Sequence, residues 1–108
     1  MYIGCVDARV PSELIMGEPA GNIFVHRNVA NLVVNNDVNL LSALQYGVAY
    51  LKVKEVIVCG HYECGGMKAA ENANDHQAPL EDWLRNGKPK CCIMAYFMYS
   101  KTIMYCTR

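Results

Sequence analysis

Glu55-Val56-Ile57-Val58-Cys59-Gly60-His61-Tyr62-Glu63-Cys64-Gly65-Gly66 decides the fold. The continuous apolar run Val56-Ile57-Val58-Cys59 predicts a strand over residues 55–60. His61 and Cys64 follow at its tip, and Gly66 opens a helix predicted over 66–73. Upstream, Asp37 caps a predicted helix reaching about Lys52, with Val38, Leu41, Leu44, Val48 and Leu51 on one stripe facing a core. Gly47 inside that helix costs about 1 kcal/mol relative to Ala, which implies close packing there. Helix, strand, loop, helix is the α/β pattern, a mostly parallel sheet flanked by helices. The C-terminal strand ends of such a sheet share a crevice.

The start of the chain fits the same pattern. Residues 1–5 read as a strand that delivers Cys5 into a loop, and residues 12–16 as a short helix closed by a turn over 17–21. Residues 22–26 read as a second strand, Ile23-Phe24-Val25 being apolar enough to be covered on both faces. Cys5 and His61 thus both stand at strand ends, and a crossover brings such tips together whatever their separation in sequence. Residues 79–86, with Trp83 and Leu84, read as a further short helix. The run Gly87-Lys88-Pro89-Lys90 breaks the pattern, and residues 91–108, rich in Cys, Met and Tyr, show no clear period. The domain division is therefore residues 1–86 and a divergent tail, 87–108.

Cys5, His61 and Cys64 offer two thiolates and one imidazole, a zinc donor set with the fourth vertex free. A structural zinc usually closes its tetrahedron with another Cys or His, whereas here Asp7 lies two residues from a ligand with Arg9 beside it. Two thiolates cancel the dication, yet water in the fourth position still loses a proton near neutral pH and becomes a nucleophile for a small electrophilic carbon. Asp7 would orient that nucleophile. Arg9 would keep the carboxylate ionised and off the metal, and its release would let Asp7 close the site as fourth ligand. The N–H groups of Gly65 and Gly66 at a helix start suit a developing carboxylate-like oxygen. Each residue alone has a plainer reading, Cys5 as a core thiol and Asp7–Arg9 as a surface pair worth about 0–1 kcal/mol. Their joint placement argues for chemistry. Cys59 reads as core, Cys91 and Cys92 as weak ligand candidates, and His26 and His76 as structural or exposed.

Composition agrees with a small ligand. The chain has 108 residues, 53% of them hydrophobic, enough for one core and too few for two ordinary domains. Ten basic and ten acidic side chains sum to zero, so no broad field attracts nucleic acid or an anionic membrane. The longest apolar run, residues 91–99, is far shorter than the roughly 20 residues that span a bilayer. The first residues show no basic leader, and the expectation is a soluble, cytoplasmic protein whose thiols stay reduced.

Cys-x-Asp-x-Arg at Cys5, Asp7 and Arg9, with His-x-x-Cys-Gly-Gly at residues 61–66, resembles the signature of the β-class carbonic anhydrases, most similar to the bacterial type. Phe24-Val25-His26-Arg27-Asn28-Val29-Ala30-Asn31 and Ser42-Ala43-Leu44-Gln45-Tyr46 resemble the family too, and the match covers residues 1–86. The resemblance implies Zn2+ on Cys5, His61 and Cys64, an Asp7–Arg9 catalytic dyad, and reversible hydration of CO2 to bicarbonate and a proton by zinc-bound hydroxide. It further implies that Phe24, Val29 and Tyr46 line an apolar CO2 pocket, that the Gly65 N–H contacts substrate, and that some of these residues come from a partner subunit of a homodimer or larger assembly.

Family members usually carry an N-terminal helical arm and more helices and a strand after residue 86, so the chain reads as truncated at both ends. An inactive zinc-binding fragment is the rival reading from another class, and hydrolysis of CS2 or COS on the same fold is the enzymatic rival. Of the Trp, Arg and Tyr that hold a regulatory bicarbonate in some bacterial members, Arg27 matches the Arg. Tyr2 stands where the Trp would be, which argues against regulation by that route.

Overall fold

In a computed structural model, the structure describes residues 1–72 and 76–87 and the backbone of 102–107. Strands β1 (Tyr2–Cys5), β2 (Val25–Asn28), β3 (Val56–His61) and β4 (Thr102–Thr107) form one sheet in the order β2-β1-β3-β4, with every pairing parallel. The chain passes from β1 outward to β2 and then back across β1 to β3. The strand order therefore reverses between β1 and β3, and their carboxyl ends form the crevice where α/β sheets bind ligands. Cys5 ends β1 and His61 ends β3.

Side chains alternate across the two central strands and bury both faces. Ile3 and Val58 pack with Leu40 and Leu44 on one face, joined by Met1, Val33 and Val56. Tyr2, Ile57 and Cys59 pack with Ile23 on the other. The continuous apolar run of β3 is thus explained by burial on two sides. Burial pushes the Tyr2 phenol up to about 12, helped by Cys59 and opposed by Arg27, which lies 5.9 Å over its ring.

The helices depart from the sequence expectations at their ends and faces. Helix α1 (Ser12–Met16) forms as predicted. Helix α2 (Val38–Gln45) is capped by the Asp37 side chain, which accepts from Asn39 N and Leu40 N. Beyond it the turn widens into a π-helix, Tyr46–Tyr50, and the expected regular helix to Lys52 does not continue. The buried stripe is Leu40, Leu44 and Gly47. Of the expected stripe, Val38, Leu41 and Leu51 are exposed. Leu44 of the expected stripe is buried, but its partner one turn back is Leu40 and not Leu41, because two apolar rows share helical spacing here; after Gln45 the π turn changes the phase and Leu51 leaves the row. Gly47 does mark a close approach, since a Cβ there would sit 3.2 Å from Phe24 Cδ1 and 3.3 Å from Met1 Sδ.

The second strand begins at Val25 rather than residue 22 and lies at the sheet edge, with Val25 exposed, so the expected cover on both faces is not found among the described residues. Ile23 belongs to the core and Phe24 O accepts from Tyr2 N, but the ladder proper starts one residue later. Helices α3 (Gly65–Glu71) and α4 (Leu80–Leu84) are shorter than expected at their C-terminal ends. Residues 73–75, the breaker residues Lys88, Pro89 and Lys90, and Cys91 and Cys92 lie outside the described residues.

Candidate metal centre

A short 3-10 turn, Val6–Ala8, turns the chain after Cys5 so that Asp7 faces back across the crevice. On the other side, Cys64 forms the N-cap of α3, placing its thiol opposite that of Cys5. One ligand atom each from Cys5, His61 and Cys64 lies within 4.8 Å of the others, and the two Sγ atoms are 3.5 Å apart. The three residues that the spacing singles out are therefore brought together.

Cys5 is 1% exposed and Cys64 5%, so two thiols meet where water does not screen them. Burial pushes the Cys64 thiol up and the adjacent Cys5 adds to this, while the N–H groups of Met67 and Gly66 pull it down. A dication reverses that balance, because a coordinating thiol is deprotonated outright. His61 Nε2 is buried with no hydrogen-bond partner among the described residues. His26 Nε2 shares that property, so the orphaned nitrogen alone does not mark a metal. His61 differs in converging with two thiols, a group that could hold a metal ion and a donor set that fits zinc.

Asp7 stands beside this group and outside it. Its Oδ2 accepts from Gly65 N at 2.8 Å, and its Oδ1 lies 3.4 Å from the Arg9 guanidinium. The Gly65 hydrogen bond is the main cause holding the carboxyl below its ordinary range, with Arg9 and His61 adding to it against some desolvation. The Gly65 N–H is thus occupied by Asp7 in this structure. Glu63, between His61 and Cys64 in sequence, pairs with Lys68 across the first turn of α3.

Sequence reasoning missed the backbone support of Cys5. Its Sγ accepts from Ala30 N at 3.2 Å and from Asp7 N at 3.4 Å. Ala30 belongs to a second 3-10 turn, Val29–Asn31, whose Val29 carbonyl accepts from Trp83 Nε1 at 2.8 Å. Helix α3 presses on this turn at Gly66, where a Cβ would lie 2.8 Å from Ala30 N. Arg9, Ala30, Asn31 and Glu63 hold φ of 52°, 65°, 42° and 55°, each at a cost of order 1–3 kcal/mol. No pattern of side-chain types reveals which way an amide points, so the sequence carries no signal for it.

The expected pocket residues separate. Val29 lies beside Gly66, and the N–H of the peptide that follows it donates to Cys5 Sγ. Phe24 and Tyr46 pair with each other, ring centroids 5.9 Å apart, at the far end of the sheet. Phe24 precedes by four residues the Asn28 that pairs with Cys5, which at about 3.3 Å per residue is about 13 Å.

The carbonic anhydrase family model matches residues 1–96. A carbonic anhydrase of Emericella nidulans is 52% identical over 86 residues, covering 80% of this chain and 37% of that protein. The mitochondrial beta carbonic anhydrase 6 of Arabidopsis thaliana is 41% identical over 95 residues, covering 82% and 33%. A tetrameric β-carbonic anhydrase of Sordaria macrospora superposes with a TM-score of 0.77 at 42% identity, covering 82% of this chain and 45% of that one. The Coccomyxa β-carbonic anhydrase in complex with acetazolamide gives 0.76 at 40% identity, covering 82% and 40%. The chain spans about a third of the length of these curated relatives. With the family's sheet and its Cys-x-Asp-x-Arg and His-x-x-Cys residues gathered at one crevice, the chain belongs to the β-class carbonic anhydrases.

Proposed function

We propose that the protein catalyses reversible hydration of CO2 to bicarbonate and a proton at zinc held by Cys5, His61 and Cys64. The observation that carries this reading is the meeting of three ligand atoms within 4.8 Å beside a carboxylate fixed by Gly65 N and Arg9. Zinc, when bound there, supplies a Lewis acid that makes water nucleophilic near neutral pH. Asp7, ionised and acceptor-only, takes a hydrogen bond from the reacting water and aims its lone pair at carbon. Arg9 holds that carboxylate in place and adds positive charge where bicarbonate forms. Release of Asp7 from Gly65 N and Arg9 would free it to serve as a fourth ligand and close the site.

Gly65 and Val29 border the substrate position from this chain. Phe24 and Tyr46, about 13 Å away, complete an apolar CO2 pocket only when a second copy supplies them, which requires a homodimer or larger homo-oligomer. The Sordaria macrospora relative is tetrameric. Every proposed site residue lies within 1–86, and Thr102–Thr107 adds β4 to the sheet edge. No helix among the described residues is long and apolar enough to cross a membrane. Thiol ligands require reducing surroundings, and we place the protein in the cytoplasm.

Stopped-flow CO2 hydration and a zinc measurement on the same sample test the proposal. About one zinc per chain is expected, and Asp7→Asn should retain it while activity falls about 100-fold or more. Folded protein without zinc, full activity in Asp7→Asn, or turnover of CS2 or COS with no CO2 hydration would overturn it.

A further inference from the structure

We propose that Trp83 is a positioning residue for the metal-binding sulfur of Cys5, acting through the Val29–Ala30 peptide group. The inference rests on Cys5 being a ligand, as argued above. Trp83 Nε1 donates to Val29 O at 2.8 Å, and the N–H at the other end of that same amide, on Ala30, donates to Cys5 Sγ at 3.2 Å. An indole N–H is a donor only, so the direction of the chain is fixed: tryptophan to peptide to sulfur. Bonds in series polarise one another, and a proton donated to the amide oxygen makes the amide N–H a stronger donor.

Three features show that this arrangement is held in place. Ala30 is 1% exposed and Cys5 1%, so the bond to sulfur lies away from water, where its direction matters most. Ala30 keeps φ 65° and ψ 20°, a left-handed conformation unusual for alanine, and with it the N–H meets the sulfur. Gly66 leaves the space in which α3 closes over the turn, because any side chain there would collide with Ala30 N. Trp83 itself comes from α4, 54 positions from Val29, and brings no ligand atom. The bond to Val29 O links it to the centre through the peptide behind it. Groups one step removed from a metal ligand commonly change metal affinity by about 10- to 100-fold when removed.

A simple packing role for the indole makes the same demand for shape but none for the N–H. Replacing Trp83 with β-(3-benzothienyl)alanine, which keeps the bicyclic shape and lacks the N–H, separates the two, and Trp83→Phe repeats the test by ordinary expression. The full chain is titrated with Co2+, following the near-ultraviolet thiolate-to-cobalt charge-transfer band, and zinc affinity is read by chelator competition. With the isostere, the band should move to lower energy, since a sulfur that accepts a weaker hydrogen bond gives up charge more readily. The zinc Kd should rise about tenfold with the circular dichroism unchanged. An unshifted band and an unchanged Kd in the isostere would overturn the relay while leaving the ligand assignment standing. Absence of any thiolate-to-cobalt band in the unsubstituted protein would overturn the ligand assignment and the relay with it.

Discussion

The two ends of the sheet are built from the same strands and to opposite rules. At the carboxyl tips of β1 and β3, small residues, left-handed backbone and N–H groups converge on sulfur and carboxylate. At the other end, the side chains of Met1, Phe24 and Tyr46 pack by shape, Met1 and Phe24 against Gly47, Phe24 tilted on Tyr46 and Tyr46 stacked on Tyr50 at 5.6 Å. Direction governs the first end, because hydrogen bonds and coordination fail with small angular errors. Apolar area governs the second, and area tolerates rearrangement. The difference teaches that the two halves of the proposed site, ion and apolar pocket, lie at opposite ends of one chain, which is why the proposed function has them meet across copies.

Substitutions at each end sharpen or break this contrast. The largest effect is expected from Cys64→Ser, which should take zinc from about one per chain to nearly none. Far-ultraviolet circular dichroism should show the sheet retained, and zinc kept at wild-type level would remove Cys64 from the ligand set. Next comes Gly66→Ala. Its Cβ would meet backbone at 2.8 Å, and urea unfolding of the zinc-free protein should show a loss of about 2–3 kcal/mol. The smallest effect belongs to Gly47→Ala. Its neighbours are the ends of Phe24 and Met1 at 3.2–3.3 Å, which can give way, and alanine regains up to about 1 kcal/mol of helix propensity. A net change within about 1 kcal/mol is expected in the same titration. If the two glycines proved equally sensitive, the distinction between a directed end and a tolerant end would collapse.

That Cys5, His61 and Cys64 meet beside Asp7 was legible in the sequence because the information lies in residue types: thiol, imidazole and carboxylate are chemically unlike their neighbours. Strand tips were legible for the same reason, as the apolar run of β3 stops where His61 begins. What stayed hidden is carried by backbone direction and helix phase. Ala30 and Trp83 show nothing in their identities that says an amide between them points at Cys5. Leu40 and Leu41 are interchangeable in a periodicity, and only the packed structure buries the former and exposes the latter. Ile23 and Phe24 read as strand because they are apolar, yet they precede the ladder, where their side chains pack and only Phe24 O bonds to β1. Phe24 and Tyr46 entered as pocket residues through family resemblance, and geometry alone would have assigned them to packing.

Cys5 ends β1 and Cys64 caps α3, 59 positions later in the chain (64 − 5). An ion gripping both sulfurs would therefore act as a removable cross-link, barring the denatured chain from most of its extended shapes. For a loop of that length, chain statistics put the restriction at about 4 kcal/mol. A chelator would then lower the melting temperature as well as stop turnover, tying the lifetime of the folded protein to the local supply of metal.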